Sequence, residues 1–220
     1  ESSEGETMKK SYSFRCVLFA LIFLTLSLAI FSLKTPVHST TETEDIALEN
    51  NPRGIAINPE TNIAVIAVEK DKHGHHHSGP GYVSIIDLNT QTVISTIPVG
   101  KKPRGVAIDR GLNLAVITNS HDNTASIIDL STNKVTATIS VGKEPEGIAI
   151  NQTTHRAYVT NHKDDTVSVI DLFSRQNLGI IPVGNEPKDI AIDPILNLAL
   201  VVNEKEHVYR HKHGPHHKDK

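Results

Sequence analysis

The chain has no tryptophan, a single cysteine, a single methionine, and only four tyrosines and five phenylalanines in 220 residues. So few rings exclude an aromatic-centred sandwich. The apolar content falls instead to Ile, Val, Leu and Ala, as expected of sheets packed on both faces. A lone Cys16 excludes an internal disulfide, and no Cys-x-x-Cys-His is present to attach haem. Charge of one sign is lacking too. Twenty-two Lys and Arg stand against 25 Asp and Glu, a formal net charge of -3, and the basic residues are spread rather than clustered. That balance carries no strong nucleic-acid footprint.

One long apolar run is present. After ESSEGET, residues 1–7, which read as a non-native leader, Met8 is followed by Lys9, Lys10 and Arg15, then by an uncharged stretch from Cys16 to Leu33. This is the shape of a secretory signal over 8–39, with Val37 and Ser39 as the small residues before a cut after Ser39. The alternative is an uncleaved anchor over 16–33, which reaches about 27 Å as a helix against a ~30 Å hydrocarbon core. Either reading exports the bulk of the chain to the periplasm, the cell surface or the exterior. Cys16 opens the run instead of closing it, the wrong place for lipid attachment, and cleavage leaves a mature chain without thiol chemistry.

Beyond the leader the sequence repeats. Gly54-Ile-Ala-Ile, Gly105-Val-Ala-Ile, Gly147-Ile-Ala-Ile and Asp189-Ile-Ala-Ile open four units. Pro103, Pro145 and Pro187 precede three of them at 42-residue steps, and Pro52 precedes the first with nine extra residues placed before Asp87. A period near 40 with several short alternating strands is the signature of propeller blades. In the second unit the strands read Gly105 to Ile108 (A), Leu114 to Thr118 (B), Ala125 to Leu130 (C) and Val135 to Val141 (D). The recurrent Asp of Ile-Asp-Leu (Asp87, Asp129, Asp171) reads as a strand end that accepts N–H bonds from the following turn, not as a catalytic group. The expected fold is all-β: a β-propeller of four-stranded antiparallel blades near 51–100, 101–142, 143–184 and 185–220, within a repeat region 44–220. Residues 44–50 (EDIALEN from Glu44) align with a D strand lacking its own A, B and C, and the fourth unit shows A and B only. The chain thus reads as an incomplete ring of about three and a half blades, a fragment of a longer protein, with self-association of two half rings as the alternative.

Leu114-Ala-Val-Ile-Thr-Asn119 and Arg156-Ala-Tyr-Val-Thr-Asn161, each followed by an Ile/Val-Asp-Leu strand, resemble the YVTN β-propeller repeat. Tyr158 to Asn161 matches its tetrapeptide outright, whereas Val65 to Val68 and Leu200 to Asn203 depart from it. The resemblance implies an exported, YncE-like, seven-bladed propeller used for binding, with about three further blades downstream. It transfers no catalytic residue.

Histidine is in excess. Eleven of the thirteen follow a B strand: His73, His75, His76 and His77 in the insert, His121 and His162 in short B–C turns, and His207, His211, His213, His216 and His217 after the fourth B strand. His38 and His155 are the exceptions. In a four-stranded blade the B–C and D–A loops leave on one rim, so these imidazoles crowd one face as candidate ligands for Zn, Cu or Ni, with Asp122, Asp164 and Asp165 as candidate oxygen donors. A pH-sensitive polar rim and a merely solvated His-biased loop are the other readings. The leading function is therefore an exported binding module whose rim takes a protein, a polymer or a metal. A propeller enzyme of the lactonase or cofactor-dependent oxidoreductase type is the alternative, as is YncE-like nucleic-acid binding. Membrane contact is expected only through 16–33.

Overall fold

The structure, a computed structural model, describes residues 45–48, 50–70 and 79–204. The chain divides into two units, 1–50 and 51–220. The second contains every strand among the described residues: β1 Asn51–Asn58, β2 Ile63–Glu69, β3 Pro80–Asp87 and β4 Thr92–Lys101 form one antiparallel sheet in chain order. β5 Pro103–Asp109, β6 Leu114–Asn119, β7 Thr124–Asp129 and β8 Lys134–Ser140 form the next. β9 Pro145–Asn151, β10 Arg156–Asn161, β11 Thr166–Asp171 and β12 Gln176–Pro182 form the third, and β13 Pro187–Asp193 with β14 Leu198–Asn203 a two-stranded fourth. The all-β expectation and the A-to-D strand order hold, to within a residue or two at each strand end, and the described residues contain no helix.

The period-two alternation explains how these sheets stack. Along β6, Ala115 and Ile117 point to the first sheet and join a core with Val65, Ala67, Val83 and Ile85. Leu114 and Val116 point the other way and pack with Ala157, Val159, Ile170 and Leu172 of the third sheet. A blade between two neighbours has no solvent face, so its inner strands are apolar on both sides. Where no neighbour covers a sheet among the described residues, the same positions are open. Leu198, Leu200 and Val202 of β14, equivalents of Leu114, Val116 and Thr118, are 55%, 74% and 63% exposed.

Turns close by one device. The last residue of each A strand accepts backbone N–H bonds from the turn it starts: Asn58 from Glu60, Asp109 from Leu112, Asn151 from Thr153 and Thr154, and Asp193 from Ile195 and Leu196. Asp87, Asp129 and Asp171 do the same after the C strands, so the Asp of Ile-Asp-Leu is a turn former as read. Each A–B turn ends on a residue in left-handed backbone, Asn62, Asn113, His155 or Asn197, where Asn is the readiest side chain. His155 does further work there. Its Nδ1 donates to the fully buried Asp109 carboxylate of the preceding blade at 2.8 Å, and its ring meets Phe173 edge-on. This histidine therefore joins blades on the rim opposite the B–C turns.

Polar ties between blades also come from the B strands. Thr118 Oγ1 accepts the Gly105 N–H at 2.8 Å and donates to the Glu146 carbonyl of the next blade at 2.8 Å. Thr160 repeats this between Gly147 N–H and the Lys188 carbonyl, at 2.8 and 3.2 Å. Neighbouring A strands run so close that a Cβ on Gly147 would lie 2.6 Å from the Lys188 carbonyl oxygen, which is why glycine follows the variable residue there.

Residues 45–48 are in no strand, and 44 and 49 lie outside the described residues; the closing blade that 44–50 were expected to complete has no other strand among the described residues. The leader and its apolar run also lie outside the described residues; among the described ones no helix is long and apolar enough to cross a membrane.

Two outcomes follow. Thr118→Val keeps the shape but leaves the Gly105 N–H and the Glu146 carbonyl unpaired, and should cost roughly 2–4 kcal/mol in urea unfolding. A loss below about 1 kcal/mol would show that water replaces the bridge. Asp171 is held below the ordinary carboxylate range, chiefly by the Ser174 N–H and then by the Ser174 hydroxyl. Its contribution to stability is therefore complete above the unfolded carboxyl's pKa of about 3.9 and fades as pH falls through the lower folded value. Asp171→Asn should flatten that acid limb of the stability curve, and an unchanged limb would assign it to other carboxylates.

Candidate functional site

The rim carrying the B–C turns and D–A crossovers is assembled by one backbone bond repeated in three blades. Ser120 N–H donates to Lys102 O at 3.0 Å, His162 N–H to Glu144 O at 3.1 Å, and Glu204 N–H to Glu186 O at 3.0 Å. The crossover residues Lys102, Glu144 and Glu186 all sit at positive φ, an unfavourable backbone for long side chains that persists because the surroundings over-determine it. Side chains complete the clamp. Asp122 accepts the Lys101 N–H and Asp164 the Lys143 N–H, both at 2.8 Å; Asn123 accepts the Glu144 N–H at 3.0 Å, and Asp165 the Glu186 N–H at 2.8 Å. Asp122, Asp164 and Asp165 were candidate oxygen donors for a metal. Here they hold turns, because a tight crossover leaves N–H groups that strand ladders cannot reach.

The Asn of the repeat locks the crossover from beneath. Asn161 Nδ2 donates to Thr166 and Ser168 at 3.0 and 2.9 Å, while its Oδ1 accepts the Gly142 N–H at 3.0 Å. A Cβ on Gly142 would meet Asn161 Cγ at 2.5 Å, so glycine and asparagine require each other. Asn119 makes the same pair of donations to Thr124 and Ser126.

With the backbone so fixed, the side chains that differ from blade to blade stand out. Just after each crossover proline come Arg53, Arg104, Glu146 and Lys188, and sixteen residues later, one past the Asn position, come Glu69, Ser120, His162 and Glu204. The ladders place the members of each couple on neighbouring strands at the rim. In the first blade Arg53 reaches Glu69 through both Nε and Nη2 at 2.9 Å. In the fourth Lys188 reaches Glu204 at 2.6 Å. The second blade breaks the rule: Ser120 replaces the acid, Arg104 has no ion-pair partner among the described residues, and its Nε is buried without a hydrogen bond. Arg53, Arg104, Glu146, Lys188 and Asp189 converge on an open recess of about 560 Å³ where the A strands meet. Three cations and two acids surround it.

The histidines divide. His73, His75, His76, His77, His207, His211, His213, His216 and His217 lie outside the described residues. His121 is exposed in its turn, one position later in the repeat than His162. His162 is 9% exposed, and its Nδ1 is buried without a partner. It lies with Glu186 and Glu204 such that one ligand atom from each falls within 4.8 Å of the others. Glu186 and Glu204 escaped the sequence reading, Glu186 because no histidine lies near it along the chain and Glu204 because it precedes the histidine bunch that begins at His207. The sixteen-residue couple was the available signal, since it aligns His162 with Glu204.

The Glu204 carboxylate raises the pKa of Lys188, first through their hydrogen bond and then through its charge. The lysine's share of stability is thus complete below its unfolded value and lost only as pH rises through the higher folded one. Glu204→Gln should return the Lys188 titration, followed by NMR of the side-chain Cε resonance, to the ordinary lysine position. An unmoved titration would show that another acid holds it.

Comparison with solved structures gives the fold. The hydrazine synthase of Kuenenia stuttgartiensis is similar over 69% of this chain and 42% of its own, with a TM-score of 0.60 and 22% identity. A functionally unknown protein from Desulfotomaculum acetoxidans DSM 771 is similar over 73% and 51%, with a TM-score of 0.63 and 19% identity. The chain thus spans about half or less of these structures, and at such identities the likeness is one of propeller-like all-β architecture. No curated protein matches the sequence. The profile of the Choice-of-anchor I domain matches residues 26–196. By that match, which spans the leader's end and nearly all the strands described above, the chain belongs to the Choice-of-anchor I domain family.

Proposed function

We propose that this chain is an exported binding module of YVTN, YncE-like design, whose axial recess receives an anionic group of a protein or polymer at the cell surface. The observation that carries the reading is Arg104. In the first and fourth blades the corresponding cation is neutralised by its own Glu, whereas in the second Ser120 leaves the guanidinium without an acid. A guanidinium at a recess, with a donor already removed from water and unpaired, favours a carboxylate or phosphate over a neutral ligand. The family's designation as an anchor domain supports a surface setting. Binding is favoured over catalysis because the recess holds no nucleophile with a base and an orienting group beside it.

The His-bearing rim supports a second reading, metal binding, through the buried and unpartnered Nδ1 of His162.

The first reading is tested by titrating the protein with citrate, inorganic phosphate and a sulfated polysaccharide at low and moderate salt. Binding should weaken about tenfold or more in Arg104→Ala, the worth of one charge-assisted contact, and remain in Lys134→Ala on the opposite rim. Equal binding by both variants, or none by the parent protein, would sink it. A single-stranded oligonucleotide that outcompetes all three would move the assignment to nucleic acid.

A further inference from the structure

The four units share one backbone, so each junction between blades offers the same three side-chain positions. These are the residue after the repeat Asn in one blade, the crossover residue at positive φ entering the next, and the residue after the Asn in that next blade. At the first junction they are Glu69, Lys102 and Ser120. At the second they are Ser120, Glu144 and His162. At the third they are His162, Glu186 and Glu204, three potential ligands. Among the described residues, all three positions carry a potential ligand at the third junction only.

We propose that the junction of the third and fourth blades is a binding site for a divalent first-row metal ion such as Zn²⁺, with His162, Glu186 and Glu204 as its protein ligands. The proposal deepens the second reading of the rim and does not depend on the axial recess.

The positions are built. His162 is held by its N–H to the Glu144 carbonyl, and Glu204 by its N–H to the Glu186 carbonyl. Glu186 is held by its own N–H to Asp165. Their ligand atoms lie within 4.8 Å of one another, whereas tetrahedral ligands about 2.0–2.1 Å from zinc stand about 3.3 Å apart. Rotation of the two Glu side chains closes that difference, with the backbone unmoved.

The buried histidine supplies the second observation. A ring nitrogen shut away from water without a partner is uncommon in native structures and calls for an explanation, of which a bound ion is one. The carboxylates are now attended by lysines, Lys163 at 3.8 Å from Glu186 and Lys188 at 2.6 Å from Glu204. Both side chains are about half exposed, 48% and 52%, so each ammonium can turn to solvent when an ion arrives. Exposed pairs of this kind are weak and yield readily. One neutral imidazole and two carboxylates balance a divalent charge and leave a tetrahedral ion one open position. Imidazole with oxygen donors suits Zn²⁺ better than the soft Cu(I), which prefers sulfur.

The histidines at 73–77 and 207–217 would bind added metal by themselves, so the test begins by removing them. In the full chain with those nine histidines changed to Asn, isothermal titration should find one Zn²⁺ equivalent, and Co²⁺ should give the visible absorption of a four-coordinate site. His162→Asn should lower affinity at least tenfold and abolish that absorption. Glu186→Gln, at a rim position that leaves the core intact, should do the same and guards against a misfolded His162 variant. Loss of all stoichiometric uptake in the nine-fold variant, or uptake unaffected by either substitution, would overturn the site. Anion binding sensitive to Arg104 would survive that result, so failure here and failure of the recess are told apart.

Discussion

One hydroxyl in each of the second and third blades, that of Thr118 or Thr160, accepts from the A strand of its own blade and donates to the A strand of the next. The A strands are the innermost, and they approach closely enough that glycine must stand beside the passing carbonyl. At that distance an amide and a carbonyl lie away from water with no ladder partner, and each would cost about 1–3 kcal/mol if left unpaired. The hydroxyl answers both at once. It also sets the phase of one blade against the next, because the bridge forms only when the following A strand presents its carbonyl at that height. The large apolar contact between sheets supplies most of the attraction, but such contact is tolerant of sliding. The hydroxyl is not.

From that registration follows a division of labour. Asparagine under the glycine, aspartate and asparagine in the turns, and residues forced into left-handed backbone use nearly all the polar groups that recur. They are spent on backbone that has no other partner. What is left for chemistry is the small set of positions that point to the rim without being required by the frame: the residue after the crossover proline, the residue sixteen later, and the crossover residue itself. There the blades differ. Charge couples close two of them, a serine opens a third, and a histidine with two glutamates gathers at the last junction.

Much of this was legible in the sequence, and the reasons are physical. Alternation in Leu114-Ala-Val-Ile with a 42-residue step fixes strands and blades, because side chains on a pleat must face one side or the other. Asp87, Asp129 and Asp171 could be read as turn formers since the bond they make is local, two or three residues along the chain. The rim couples could not be read so directly. Arg53 and Glu69 meet only after a strand has turned back on itself, and Glu186 meets His162 only after two blades are packed. Asp122, Asp164 and Asp165 have a tie of the same long-range kind: each accepts from an N–H on the crossover some twenty residues away, a need that local spacing does not display.

A repeat therefore helps most as a background against which single positions can be judged. Histidine in a B–C turn is unremarkable, as exposed His121 illustrates. His162 differs in standing one residue earlier, where the other blades have Glu69, Ser120 and Glu204, and like Glu69 and Ser120 it is buried there. Its burial then has to be reconciled with a ring nitrogen that no protein atom satisfies. Arg104 poses the same question with opposite sign, a cation at a position whose acid has been replaced by serine. The Oδ1 atoms of Asn113, Asn119 and Asn133 are also buried without a partner, so what sets His162 and Arg104 apart is the rim position at which each departs from the repeat, together with the missing bond.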